Sequence, residues 1–136
     1  MLLFENSLIK LNYDPATDIL CVDYPDLHGY IVDEVNYSID IMVDNVIAYD
    51  VKYLLLDSRR TVISVSAEES RKISVYLASK LAMTRLQKLA RIQAPNPDLE
   101  KRAEGTIKDI TTTIPLPYLL RTFPTMEEAM YWLVLK

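Results

Sequence analysis

Apolar and polar residues change period several times along this chain, and each change marks an element. From Leu8 to Tyr13, Ile9, Leu11 and Tyr13 alternate with Lys10 and Asn12, the period-2 mark of a strand with one buried face. Ile19 to Tyr24 reads the same way. Asp14-Pro15-Ala16-Thr17 between them suits a type I turn, with Asp first and Pro pre-set second, so the pair is expected to form a hairpin. From Ile31 to Tyr49 the period lengthens. Val32, Val35, Ile39, Met42, Val46 and Tyr49 recur every three or four positions, a stripe about five helical turns long. Asp33 and Glu34 fall in the first turn, where the helix dipole favours negative charge. Gly29, the best-placed N-cap, supplies no side-chain acceptor.

Val51 to Leu56 is nearly all apolar, as expected of a central strand covered on both faces. Ser66-Ala67-Glu68-Glu69 then spells a capping box, and Ile73, Leu77 and Leu81 give the helix behind it a buried stripe. Leu86 to Ile92 is a fourth strand, less cleanly patterned. Asn96-Pro97-Asp98 opens a helix whose inner face is Leu99, Ala103, Ile107 and Ile110. The stretch 111–117, rich in Thr and Pro, reads as a mobile loop. Tyr118 to Phe123 is a last strand. Thr125-Met126-Glu127-Glu128 is a second capping box, ahead of Ala129, Met130 and Leu133.

The predicted order is therefore ββαβαβαβα. This is an α/β fold, with a mixed, mostly parallel five-stranded sheet, an antiparallel edge hairpin and about four flanking helices. One domain over residues 1–136 accommodates all of it, and a chain of 136 residues that is half apolar needs no metal or disulfide to fold. The net charge of −4, with no basic run, argues against nucleic acid and against anionic lipid. Met1 to Asn6 lacks the basic start and apolar core of a signal peptide, and no apolar run nears the ~20 residues of a membrane span. A cytoplasmic location is expected.

Catalytic chemistry is poorly supplied. One His, one Cys and two Gly cannot assemble most templates; glycine loops for phosphate and His/Cys metal clusters are excluded by count. No catalytic residue, metal or cofactor is expected. Cys21, inside an apolar run, reads as a small buried hydrophobe, and His28 as a solvated loop residue. Asp33, Glu34, Asp40 and Asp44 share the first helix, either as a solvated acidic face or as a hard-cation site. Tyr30, Tyr37, Ile41 and Ala48 form a second, weaker stripe there. It is either the flank of a widely buried helix or a contact surface for a partner, including a second copy of the chain.

The segment after the third strand is richer. Asp57-Ser58-Arg59-Arg60-Thr61-Val62-Ile63-Ser64-Val65-Ser66 supplies an acid, two arginines and four hydroxyls at the carboxyl end of a parallel strand. Ligands of open α/β sheets gather at that edge, near helix N-termini. Asp57, Arg59, Arg60, Ser64 and Ser66 are the candidate contact residues for a protein partner or, alternatively, for a small ligand, an anion or a lipid head group. Ser66 can cap the helix or carry a phosphate, and Asp57 with Arg59 can equally be an ion pair that orders the loop.

The strand Lys52-Tyr53-Leu54-Leu55-Leu56-Asp57, its Leu-Asp-Ser-Arg ending and the closing Phe123-Pro124-Thr125-Met126-Glu127-Glu128-Ala129-Met130-Tyr131-Trp132-Leu133 resemble small bacterial proteins of the STAS superfamily. These are relatives of the anti-sigma-factor antagonists. The resemblance runs over nearly the whole chain and implies a mixed sheet flanked by helices, with a non-enzymatic role in protein–protein signalling. In the antagonists an Asp-Ser-Ser-Gly motif carries a phosphorylated serine. Here Ser64, Val65, Ser66 and Ala67 stand in its place, so Val65 replaces the modified serine and Ser66 is the substitute. Some of the wider group are likened to lipid-carrying SEC14-type domains. A chain this short is expected to leave little room for a cavity.

Overall fold

A computed structural model describes residues 1–6, 9–23, 32–57, 59 and 67–135, the side chains of residues 32, 33 and 67 excepted. Ten elements run in the order β1 (Leu2–Glu5), β2 (Lys10–Asp14), β3 (Ile19–Asp23), α1 (Val32–Ala48), β4 (Tyr53–Asp57), α2 (Ala67–Leu81), β5 (Lys88–Ile92), α3 (Pro97–Thr113), β6 (Leu119–Phe123) and α4 (Met126–Val134). The expected architecture is present with one strand more than the five anticipated. Six strands lie in the spatial order β1-β2-β3-β4-β5-β6. β1–β2 and β2–β3 are antiparallel, and β3 through β6 are parallel. The sheet margin is therefore β1, not the first strand of the predicted hairpin.

The predicted hairpin is present. Asp14 pairs with Ile19, leaving four residues in the loop. The Asp14 carboxylate accepts from Ala16 N–H at 3.0 Å and from the Thr17 hydroxyl at 3.1 Å, and Asp18 closes the loop at φ 59°. Asp14 thus organises the turn through its side chain, as an Asx turn does.

Strictly sequential parallel strands joined by crossovers of one hand place their helices on one face. The packing agrees. Leu20, Val22, Leu54 and Leu89 join Val35, Ile39, Met42 and Val46 of α1 and Ile73 and Leu81 of α2 in the larger core. The opposite face, with Ile19, Leu55, Ala90 and Ile92, packs under Ala129 and Leu133 of α4. β4 is interior, its Leu54 and Leu55 buried on opposite faces, as its unbroken apolar run predicts.

Helix ends follow their caps. Asn96 Oδ1 accepts from the N–H groups of Asp98 (2.9 Å) and Leu99 (3.3 Å), and Thr125 Oγ1 accepts from Glu128 N–H at 3.2 Å. α1 ends on Asp50 at φ 50°, with Val51 N–H donating to the Val46 carbonyl and Asp50 N–H to that of Ile47. That is the Schellman pattern, filled by aspartate where glycine is usual. Lys88 closes the last helix by donating to the carbonyls of Trp132 and Leu135. The proposed caps Gly29 and Ser66 lie outside the described residues, though α2 does begin directly after Ser66. Residues 111–113, expected in a mobile loop, are the last turn of α3, and Tyr118 beyond them is buried.

Candidate functional site

Two places gather polar chemistry or open space: the rim at the carboxyl ends of β3 and β4, and the space between α2, α3 and the sheet. At the rim, Asp23 and Asp57 are register partners, so two carboxylates stand side by side on neighbouring strands. Arg59 folds back over the second. Its Nε donates to Asp57 Oδ1 at 2.9 Å, its Nη2 to Oδ2 at 2.8 Å, and its backbone N–H to Oδ1 at 3.1 Å. The fork holds Arg59 firmly charged, through the hydrogen bond first and then the negative charges of Asp57 and Asp23. The Asp57–Arg59 ion pair foreseen for this loop is present. Arg59 remains half exposed on the rim while Asp57 is mostly covered. Arg60, Ser64 and Ser66 lie outside the described residues.

Other sequence candidates resolve as follows. Cys21 is half-buried rather than fully so, and burial, with the charges of Asp57 and Asp14, pushes its thiol up, away from the reactive thiolate. Asp40 accepts from the Tyr76 hydroxyl and approaches Lys80, so it ties α1 to α2, while Glu34 and Asp44 are exposed. Among the described residues no group of acids, His and Cys could hold a metal ion. Tyr37 is 65% exposed, whereas Ile41 packs against the core and Ala48 is exposed, so the second stripe of α1 is only partly buried. Tyr30 and His28 lie outside the described residues. At the opposite end of the sheet, Tyr13, Asp18, Asp50, Lys52 and Arg85 form a closed ionic network. There, burial and the Asp18 hydrogen bond raise the Tyr13 phenol to about 12.

The sequence reading missed a buried pair. Arg91 of β5 forks onto Glu100 of α3, Nη1 to Oε2 and Nη2 to Oε1, both at 2.9 Å. Ala94 N–H adds a bond to Oε1 at 2.9 Å, and Thr122 receives a further bond from Nη1 at 3.3 Å. Burial pushes the Glu100 carboxyl up, but Arg91's hydrogen bonds, the Ala94 N–H and Arg91's charge outweigh it, and the carboxyl sits below its ordinary range. Arg91 lies on the same buried face of β5 as Leu89, and a charge on that face was the available signal for a partner on the overlying helix.

Arg91 borders a cavity of about 190 Å³ between α2, α3 and the sheet, where little room for one was expected. Leu89 of β5 and its register partner Leu120 of β6, with Leu56 of β4 beside Arg91, form its floor. Leu77 of α2 and Ile107 and Ile110 of α3 line its walls. The predicted inner face of α3 is real, but Leu99, Ala103 and Ile107 stay half-buried because they face this space.

Sheet and rim together define a class: a mixed α/β sheet with three crossover helices on one face, a closing helix on the other and an ion-paired rim at the parallel strand ends. No protein-family model matches the chain, and no curated protein matches it. Among solved structures it is similar to a chain in the crystal structure of the diguanylate cyclase SiaD in complex with its activator SiaC from Pseudomonas aeruginosa. Identity is 14%, the TM-score is 0.46, and the alignment covers 90% of this chain and 99% of that one. Among the described residues, no helix is long and apolar enough to cross a membrane.

Proposed function

We propose that residues 1–136 form a single STAS-like domain that acts without catalysis, by binding a protein partner in the cytoplasm through the rim around Arg59 to Ser66. The observation that carries this reading is the Asp57–Arg59 fork at the end of the interior strand β4. It spends the one acid of the rim motif on holding the backbone that leads toward α2, which suits a presented surface and leaves that acid no part in proton transfer. Ser66, directly before α2, is the position where a phosphate would meet a helix N-terminus, so modification there is the proposed switch. The exposed Tyr37 flank of α1 is the proposed contact for a second copy of the chain. Anion capture by Arg59 is disfavoured, because Asp57 already occupies its fork.

The test is affinity capture with the wild-type chain, with Arg59→Glu plus Ser66→Asp, and with Lys101→Glu on exposed α3 as the control. A defined protein retained by wild type and control but lost from the double variant supports the rim. Identical partner sets for all three would remove it.

A further inference from the structure

The cavity between α2, α3 and the sheet has a polarity of its own. Both helices start at the carboxyl ends of the parallel strands, so Ser70 in the first turn of α2 and Arg102 in the second turn of α3 share that end of the molecule. Ile110 in the last turn of α3 and Tyr118, just before β6, lie toward the other end, where the lining is apolar. Arg102 lines the same space yet is exposed, which puts it at the mouth, and it makes no ion pair among the described residues. Arg91, by contrast, is already saturated by Glu100.

We infer that this cavity binds a free medium-chain monocarboxylate, its chain over Leu56, Leu89 and Leu120 and its carboxylate at the mouth against Arg102. Size fixes the class. An apolar cavity of ~150 Å³ holds a benzene ring, so the 190 Å³ here admits about eight heavy atoms, enough for the seven-carbon tail of octanoate with its carboxylate at the mouth. Drug-sized ligands and lipids fill several hundred Å³, and a diacyl lipid does not fit. The inference stands apart from the partner-binding rim, since it uses none of its residues.

Octanoate, methyl octanoate and dodecanoate, titrated calorimetrically against the intact chain, test it. Octanoate should bind saturably, and methyl octanoate should bind about tenfold more weakly for want of the charge-assisted bond to Arg102. Dodecanoate should bind less tightly than octanoate. Arg102→Glu should weaken octanoate by about tenfold and leave the ester unaffected. Ala103→Trp should abolish both by filling the space, and Ser74→Phe serves the same end should the tryptophan variant fail to fold. Isotope-filtered NMR contacts from octanoate to the Leu77 and Ile107 methyls place the ligand directly. Absence of saturable binding, binding that survives the filled cavity, or contacts only to other methyls would overturn the proposal. Arg59→Glu leaves octanoate binding unchanged, so loss of the rim reading and loss of this one are told apart.

Discussion

Glu100→Ala tests the buried pair that joins α3 to the sheet. The Arg91 and Glu100 side chains are each 10% exposed, and they share two parallel bonds of 2.9 Å. Removing one member of such a pair leaves the other charged and buried, at a cost of about 3–5 kcal/mol. For a domain of this size each kcal/mol moves Tm by about 3–5 °C, so Tm should fall by about 10–20 °C. Replacing both partners, as Arg91→Met with Glu100→Leu, removes the stranded charge and should return to within about 1 kcal/mol of wild type. The pH dependence has a definite sign. The Glu100 carboxyl is depressed in the folded chain, so its contribution is complete above the unfolded carboxyl pKa of about 4.3 and fades as pH falls through the lower folded value. Thermal unfolding followed by circular dichroism should therefore show the gap between wild type and Glu100→Ala widest at neutral pH and narrowing below about pH 4. A gap below about 1 kcal/mol at pH 7, or one that does not close on acidification, refutes the reasoning.

Leu54→Ala empties a fully buried site on the interior strand and should cost about 2–5 kcal/mol in urea denaturation. Asn96→Ala removes two cap bonds from α3 and should cost about 1 kcal/mol. Cys21, half-buried with a raised thiol pKa, should react with a thiol reagent on the order of tenfold faster in urea than in the native chain. Tyr37→Lys places a charge on the exposed flank of α1; under the proposed self-contact, sedimentation should show the wild type pairing and the variant monomeric at the same concentration.

The sequence carried the architecture because its signals are local and agree. Caps at Asn96 and Thr125, the stripe of α1 and the apolar run of β4 each report a short-range preference that the packed structure keeps. β1 escaped notice for a physical reason. Leu2-Leu3-Phe4 has no alternation, and its place in the sheet depends on a register with β2 that shifts between Leu2 and Phe4. The hairpin at Asp14-Pro15 was legible, but Asp18 closes its loop in a left-handed conformation that no residue pattern announced. At the site, Asp57 and Arg59 were visible as neighbours, but only the geometry shows the fork they form. Arg91 and Glu100 are nine residues apart with a strand end between them, so only the fold brings them together. The cavity is hardest to read, because empty space leaves no residue of its own. Its trace is the run of small and half-buried positions on α3, Ala103 and Thr106 among them.

Photo-cross-linking in cells most directly tests whether the end of β4 is a contact surface. A photoreactive residue at position 59, half exposed on the rim, is compared with one at position 101, exposed on α3. One adduct of defined mass from position 59, absent from 101, is the predicted result. No adduct at 59, or the same adducts from both positions, would contradict the claim that this rim meets a partner.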